Sequence, residues 1–334
     1  LVKRLRSDRF GPRARRFATW LAGRFRWLEL AMRLAIRTGH VLEALLGARA
    51  LAALGRFAEL LAGSRLPKWS AAIPRVPRPP RRAPSTRPPQ AVFFPSCMTR
   101  IMGLPRGQAR SLTDVVAALA DRAGVEILIP HDAPGACCGL TFGSKGFVEG
   151  HRLLVEDLVE RMWRWTRGGR IPVVMDATSC LGGLLGATAA MSPETRRRAG
   201  ALAIVDLAAF VRDTLAPRLT ISRLDRRVVL HPTCASRKLD EGAALRDVAE
   251  LCATRVEVPV HLVCCAMAGD RGLTHPELNA SAVAPERAEV EALEGVSGHY
   301  ANNLACEIGM TQATSLPYTS FLYLVEEASR EKRS

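Results

Sequence analysis

Eight of the nine cysteines repeat one order along the chain: a single cysteine, an adjacent Cys-Cys pair, and another single cysteine. Adjacent cysteines rarely bond to each other because the disulfide would strain the backbone, so a repeated pair indicates thiolates that serve a larger centre. The sequence therefore predicts two metal sites with four thiolates each. The predicted ligands are Cys97, Cys137, Cys138 and Cys180 in the first set and Cys234, Cys264, Cys265 and Cys306 in the second.

The spacing of the cysteines indicates which metal centres they could bind. Four thiolates suit a [4Fe–4S] cluster or a tetrahedral zinc ion. Zinc sites usually use close Cys-x-x-Cys pairs, and this sequence has no such pair. The long intervals around each Cys-Cys pair favour a multi-iron cluster over zinc and, more strongly, over cysteines that bind nothing. The remaining cysteine, Cys252, lies in a helical pattern and is predicted to be a small buried hydrophobic residue.

Predicted strands and helices alternate around the cysteines, and each cysteine element follows a strand. The strands are predicted at 91–94, 125–129, 172–175, 227–230, 256–260 and 299–301, and the helices at 112–122, 144–164, 243–252 and 276–293. This alternation predicts an α/β fold with parallel sheets and right-handed crossovers. Ligands bind outside the carboxyl ends of parallel strands, so the cysteines of each half should meet at one edge. We expect two pseudo-repeated parallel-sheet domains, at 91–222 and 223–334.

The basic charge of the chain is confined to its first 90 residues. These hold 20 Lys/Arg against 4 Asp/Glu, whereas the remainder holds 27 against 28. The near-neutral cysteine-bearing part argues against a nucleic-acid-binding protein. Residues 1–66 are predicted to form a basic amphipathic α-helical segment, broken at Gly39 or Gly47, that packs on another domain or, second in preference, lies on an anionic membrane. The proline-rich residues 67–90 are predicted to be a semi-extended linker.

The location is inferred from what the sequence lacks. It has no export signal and no apolar run of about 18 residues, the length that a transmembrane helix needs. Because the chain begins with Leu1, we expect a fragment of a longer protein in the cytoplasm or at the inner face of the membrane. The reducing cytoplasm favours metal or redox chemistry of the cysteines over structural disulfides.

A few other polar residues lie near the cysteines. His131, His231 and His261 each lie shortly before a cysteine element and are candidates for a metal ligand or a hydrogen bond to cluster sulfur. A histidine at a strand end is more often only a satisfied polar residue. Asp176 and Asp270 are candidates for tuning a cluster or for capping helices.

The two cysteine sets resemble the CCG (cysteine-rich) domain found in heterodisulfide reductase, in the iron–sulfur subunit of glycolate oxidase and in lactate-utilisation proteins. Three further motifs of the second half resemble the C-terminal region of FAD-linked D-lactate dehydrogenases, which are FAD/iron–sulfur oxidoreductases. They are His231-Pro232-Thr233-Cys234, Gly269-Asp270-Arg271-Gly272-Leu273 and Cys306-Glu307-Ile308-Gly309-Met310. The resemblance covers about residues 91–330.

This resemblance implies an iron–sulfur electron-transfer region of a 2-hydroxy-acid dehydrogenase acting on D-lactate. It also implies two [4Fe–4S] clusters on the eight cysteines, an FAD module and a ferredoxin-like module upstream, and a quinone or a cytochrome as the electron acceptor. The alternatives are a thiol–disulfide reductase of the heterodisulfide type and, third, a zinc-stabilised interaction module.

The sequence departs from the family pattern at three positions. In the family each half can hold a noncubane cluster with five cysteines, and here the fifth positions are Gly183 and Gly309. In addition, Cys-Cys-Gly has become Cys-Cys-Ala at Ala266. These departures argue against the noncubane cluster and against disulfide reduction.

Overall fold

The protein is described by a computed structural model that covers residues 10–62, 66–80, 87–239 and 241–330. It divides into two compact units. Unit 1 comprises Leu1–Met32, Arg82–Ile101 and Val125–Leu207, and unit 2 comprises Arg33–Arg81, Met102–Gly124 and Ala208–Ser334. The domain boundaries expected from the sequence stay predictions.

Strands and helices alternate through most of the described chain. The strands are β1 (Ala91–Phe94), β2 (Ile127–Leu128), β3 (Val173–Met175), β4 (Ile204–Asp206), β5 (Leu224–His231), β6 (Ala253–Glu257), β7 (Val296–Ala301) and β8 (Tyr318–Ser320). The helices are α1 (Pro12–Ala22), α2 (Phe25–Ala62), α3 (Cys97–Met102), α4 (Leu112–Arg122), α5 (Leu140–Lys145), α6 (Val148–Trp165), α7 (Thr178–Leu185), α8 (Pro193–Ala201), α9 (Leu207–Phe210), α10 (Cys234–Lys238), α11 (Gly242–Cys252), α12 (Arg271–Thr274), α13 (Pro276–Glu291), α14 (Leu304–Thr314) and α15 (Phe321–Ala328).

Each unit is built on a four-stranded parallel sheet. The strand order is β2-β1-β3-β4 in unit 1 and β6-β5-β7-β8 in unit 2, so the second sheet repeats the topology of the first. The central strands are continuous apolar runs, and Val92, Phe93, Val173 and Val174 are almost completely buried. Such runs are typical of parallel strands covered on both faces. The predicted fold class, with two pseudo-repeated parallel-sheet domains, is confirmed.

All six predicted strands are present; β1 has the predicted bounds, and the other five have shifted ends. β2 stops shortly before Pro130 and β6 stops before Pro259. Proline has no N–H to donate to a strand ladder, which explains both ends. The sequence does not predict β4 and β8, because three residues carry too little periodicity to distinguish a strand.

The four predicted helices are present as α4, α6, α11 and α13. Helix α4 has the predicted bounds, and Ser111 and Asp114 form a capping box at its first turn. It belongs to unit 2, although in the sequence it joins two strands of unit 1. The sequence does not predict α3, α7, α10 and α14, each of which follows a strand and carries one of the single cysteines.

The N-terminal segment is helical, as predicted, within the described residues. Gly47 has φ +80° and ψ 157° inside α2, so it is the position where helical geometry is broken. Gly39 stays helical and packs against Trp69. Residues 1–9 and 63–65 of the predicted segment lie outside the described residues.

The described part of the proline-rich stretch, residues 66–80, is hydrogen-bonded within unit 2. Lys68 N–H donates to the carbonyl of Leu273 at 2.8 Å, and Arg75 forms an isolated antiparallel bridge with Leu104. Proline keeps such a segment extended, and these bonds fix its course. Residues 81–86 of the predicted linker lie outside the described residues.

The N-terminal helices of unit 1 bury one face and expose the other. Ala18 and Ala22 are buried, whereas the aromatic side chains of Phe17, Trp20 and Trp27 are more than half exposed. Contact of this face with another domain or with an anionic membrane stays a prediction. Among the described residues, no helix combines the length and the apolar character that spanning a membrane requires.

Candidate metal centres

The first four cysteines meet at the carboxyl edge of the sheet in unit 1. Cys97 begins α3 after β1, the pair Cys137 and Cys138 lies in the loop after β2, and Cys180 lies in the first turn of α7 after β3. Because these three strands are neighbours, segments distant in sequence reach one place. The Sγ atoms of Cys97 and Cys137 are 4.0 Å apart, and Cys138 is hydrogen-bonded to Cys180.

The second four cysteines occupy the corresponding positions in unit 2. Cys234 begins α10 after β5, the pair Cys264 and Cys265 lies in the loop after β6, and Cys306 lies in the first turn of α14 after β7. The Sγ atoms are 4.0 Å apart between Cys264 and Cys234 and 3.0 Å apart between Cys265 and Cys306. The structure thus brings the cysteines of each predicted set to one sheet edge, where they lie in close pairs. The ninth cysteine, Cys252, is fully buried in α11.

The residue after each Cys-Cys pair has a left-handed backbone. Gly139 has φ +69° and Ala266 has φ +52°. In both turns the N–H of this residue donates to the first sulfur of the pair at 3.4 Å, which is Cys137 in unit 1 and Cys264 in unit 2. The alanine therefore keeps the turn of the Cys-Cys-Gly motif, at a cost in backbone strain.

Glycine is required at position 139 for a second reason. A Cβ there would lie 2.7 Å from Nδ1 of His151 and 3.0 Å from its carbonyl oxygen. The same ring nitrogen is 3.0 Å from the carbonyl of Gly139, so α6 is attached to the turn by this bond. The close approach of helix and turn leaves no room for a side chain.

A buried ion pair holds the backbone around the first site. Arg100, in α3, makes two hydrogen bonds with the carboxylate of Glu29 in α2, at 3.0 and 2.8 Å, and both side chains are more than nine-tenths buried. Arg100 also donates to the carbonyl oxygens of Pro95 and Ala136 at 2.6 Å. Glu29 in turn accepts the N–H of Gly135 at 2.9 Å. Together the pair fixes the segments that precede Cys97 and Cys137.

The corresponding arginine of the second site lacks such a partner among the described contacts. Arg237, like Arg100, lies three residues after the first cysteine of its set, and it donates to the carbonyl oxygens of Leu262 and Val263. Val263 corresponds to Ala136, since each directly precedes the Cys-Cys pair. The arginine is a repeated element that the cysteine motifs do not reveal, because the carbonyl groups that it binds before each Cys-Cys pair lie 25 to 36 residues away.

The N-terminal helices cover the first site. Ala22 of α1 and Phe25 of α2 belong to a buried cluster that contains Cys137 and Phe142, with Cys97 packed against its edge. This apolar cover shields Cys137 from water. Cys97 and Cys180 of the first site are partly exposed, as are Cys234 and Cys264 of the second.

The candidate polar residues have different environments. His261 is exposed and lies 3.0 Å from Glu289, and His131 lines a cavity of about 640 Å³ in unit 1. Asp176 is buried and accepts the N–H of Ser96 at 2.8 Å, so it fixes the turn before Cys97 rather than capping α7; burial raises its pKa. Asp270 precedes α12 without capping it through its side chain.

His231 is the histidine that joins a cysteine set. Its candidate ligand atom and those of Cys265 and Cys306 lie within 4.8 Å of one another, and all three residues are buried. Burial lowers the pKa of His231, but Cys306 and Glu286 on either side outweigh burial and raise it to about 9.

The thiols of both sites have the chemistry of a metal-binding set. All nine cysteines are free. The hydrogen bond with Cys137 and then burial raise the pKa of Cys97, so this thiol keeps its proton in the metal-free protein. A metal must displace such protons, and in return the buried thiolates gain a cationic partner. The donor set therefore fits a thiolate-bound metal or cluster.

The sulfur spacing also bears on the nature of the metal. A tetrahedral ion with metal–sulfur bonds of about 2.3 Å holds its sulfurs about 3.8 Å apart. Two separations of 4.0 Å are close to that spacing, but no three cysteine sulfurs of the described residues lie within 4.8 Å of one another. A cubane cluster binds each thiolate to a different iron and spreads the sulfurs farther. The four-thiolate composition fits both.

The positions of the missing fifth cysteines are sterically occupied. A Cβ on Gly309 would lie 2.5 Å from Cγ of Met267 and 3.2 Å from the carbonyl oxygen of Cys265. A Cβ on Gly183 would lie 3.2 Å from Leu140. Side chains at these two positions would thus require neighbouring groups to move.

The arrangement in unit 1 has a counterpart among known families. Residues 91–184 match the CCG cysteine-rich domain. The match runs from β1 through most of α7 and includes all four cysteines of the first set. A search of curated proteins gives no significant match to the chain. The second half repeats the strand order and the cysteine positions of this CCG domain.

We predict that Ala266→Gly stabilises the metal-free protein by about 0.5–1 kcal/mol. Glycine removes the strain of the left-handed backbone, but its greater conformational freedom in the unfolded chain offsets part of that gain. Guanidinium unfolding gives the free energy. The matched control is Ala288→Gly in the exposed part of α13, which should lose about 1 kcal/mol. Destabilisation by both substitutions would contradict the strained turn.

We predict that Glu29→Gln destabilises the protein by about 3 kcal/mol, since it leaves the buried Arg100 guanidinium without an anion. Glu149→Gln on α6, where the exposed Glu149 pairs with Arg152, should change the free energy of unfolding by about 0.5 kcal/mol or less. Equal effects of the two substitutions in thermal or guanidinium unfolding would show that the buried pair does not anchor the site.

Proposed function

We propose that the two cysteine sites hold iron–sulfur clusters, one in each unit, and that the chain is an electron-transfer region of an oxidoreductase. The observation that carries this proposal is the convergence of two sets of four free thiols on the carboxyl edges of two sheets with the same topology. A bound [4Fe–4S] cluster would supply one-electron transfer. The match of unit 1 residues to the CCG domain supports the same class of centre.

The residues around the first site support this role. The Arg100 guanidinium is buried, and thiolates at Cys97 and Cys137 would raise its pKa further. A fixed cation beside thiolates stabilises their deprotonated form and a centre of negative charge. The apolar cover of Ala22 and Phe25 shields Cys137, and burial and hydrogen bonds are the means by which proteins set cluster potentials.

The finer proposal is that these clusters serve an FAD-linked 2-hydroxy-acid dehydrogenase, with D-lactate as the substrate. It is supported by the sequence resemblance of the segments at 231–234, 269–273 and 306–310. Electrons would pass from a flavin on a separate module through the two sites to a quinone or a cytochrome.

Two alternative functions can each be compared with a specific observation of the structure. Four thiolates also suit zinc, and two sulfur separations of 4.0 Å are close to those around a tetrahedral ion; bound zinc would make the chain an interaction module without redox activity. A thiol–disulfide reductase of the heterodisulfide type would require a noncubane centre, and the crowding around Gly309 disfavours a fifth cysteine there.

We predict that anaerobic reconstitution of the full chain with iron and sulfide gives a brown protein with about eight iron and eight sulfide per chain, the content of two cubane clusters. Elemental analysis and visible absorption measure this. A colourless protein with about two tightly bound zinc ions per chain, not exchanged by iron, would replace the cluster by the zinc function.

We predict that the two sites are independent. Cys138→Ser should remove about half of the bound iron and leave the second centre, and Cys265→Ser should do the reverse, because each set of four belongs to its own sheet. Cys252→Ser is the control, with full iron and a loss of about 1 kcal/mol in stability. Loss of all iron in a folded Cys138→Ser or Cys265→Ser protein would contradict two separate sites.

A further inference from the structure

His231 is a fully buried polar residue beside the second site. It is the last residue of β5 and has no exposed surface. Its Nδ1 lies 2.8 Å from Oε1 of Glu286, which comes from α13 and is also buried. Its Nε2 is buried near the thiol of Cys306 and makes no hydrogen bond of regular geometry in the described part of the chain. An unpaired buried nitrogen costs about 1–3 kcal/mol, so this atom needs a role.

The cysteine set supplies that role. His231, Cys265 and Cys306 each offer one ligand atom within 4.8 Å of the others. Because Nδ1 is engaged by the carboxylate of Glu286, Nε2 is the ring atom left for a metal. A carboxylate bonded to the other ring nitrogen is the usual means by which proteins orient a metal-binding imidazole and fix its tautomer.

We propose that Nε2 of His231 is a ligand of the second metal centre, oriented by Glu286. This inference rests on the proposed metal-binding function and adds to it. The second site then offers five candidate donors, four thiols and one imidazole. A cubane cluster has one terminal ligand position on each of its four irons, so it would take the imidazole together with three of the thiolates. On loading, the metal displaces any proton on Nε2, as it displaces the thiol protons.

The first site offers no equivalent donor at this position. Phe94 ends β1 as His231 ends β5, and each precedes its first cysteine by three residues. The two residues also occupy the same register, since Phe94 pairs with Met175 of β3 and His231 pairs with Ala301 of β7. The two centres are therefore chemically different although their folds repeat.

The histidine ligand affects the reduction potential of the second centre. An imidazole is a neutral ligand, and replacement of thiolate character by imidazole raises the reduction potential of iron–sulfur centres. We therefore expect the second centre to have the higher potential, so that electrons entering the pair are most stable there.

The test uses the full chain with Cys138→Ser, reconstituted with iron and sulfide, so that only the second centre contributes. Pulsed EPR of the reduced protein, compared with protein grown on 15N-histidine, should show coupling to a directly bound histidine nitrogen. His231→Phe should abolish this coupling and shift the midpoint potential to a more negative value. Phenylalanine is chosen because Phe94 already occupies the corresponding position in unit 1.

The matched control is His261→Phe, since the exposed His261 lies three residues before Cys264 and pairs with Glu289. It should keep both the coupling and the potential. Persistence of the coupling in His231→Phe, or its absence from the parent protein with iron bound, would overturn the inference and leave the proposed clusters intact. Failure of the parent to bind iron would refute the proposed clusters instead.

A second variant guards against misfolding of His231→Phe. Glu286→Gln preserves the shape of the side chain and an acceptor oxygen, but it removes the negative charge that orients and strengthens the imidazole. It should weaken retention of iron against a chelator about 10-fold while the nitrogen coupling persists. Glu289→Gln, the partner change for His261, should leave retention unchanged. Equal retention in the two variants would overturn the role of Glu286 and, with it, the oriented ligand.

Discussion

The constraint on which the rest of the structure depends is the parallel arrangement of strands in each sheet. Parallel strands end on the same side, and β2, β1 and β3 are neighbours, as are β6, β5 and β7. Each of these strands is followed at once or within a short loop by a cysteine element. Thiols separated by 30 to 41 residues are thereby brought to within 3.0–4.0 Å of a partner without a continuous binding loop.

The two repeats use this common frame with different electrostatics. In unit 1 the residue at the end of the central strand is Phe94, and the Arg100 guanidinium lies 5.5 Å from its ring while bonded to Glu29. In unit 2 the same place holds His231 bonded to Glu286. The first site is thus flanked by a fixed cation whose charge is balanced by a helix outside the repeat, and the second by an imidazole. Such local differences let two copies of one fold hold centres with different properties.

The two Cys-Cys turns have the same backbone geometry although the residue after the pair is glycine in one and alanine in the other. Gly139 and Ala266 share the left-handed conformation and the N–H to sulfur bond. At Gly139 the approach of His151 excludes a side chain, whereas at Ala266 the methyl group is tolerated and only backbone strain remains. The conformation belongs to the Cys-Cys turn itself, and glycine is one solution to it.

The sequence by itself determined the α/β class, the repeat, six of the eight strands and the two groups of four cysteines, because hydrophobic runs and strand-following cysteines are local signals. The three-residue strands β4 and β8 and the short helices that carry Cys97 and Cys234 were not predicted, since so few residues carry no period. Only the tertiary structure decided which polar side chains join the sites. Glu29 and Arg100 are 71 residues apart, and His231 and Glu286 are 55 apart. The sequence does not show which distant residue a charged group or an imidazole will contact. The function of such a group depends on that contact, because a buried polar group without a partner is costly.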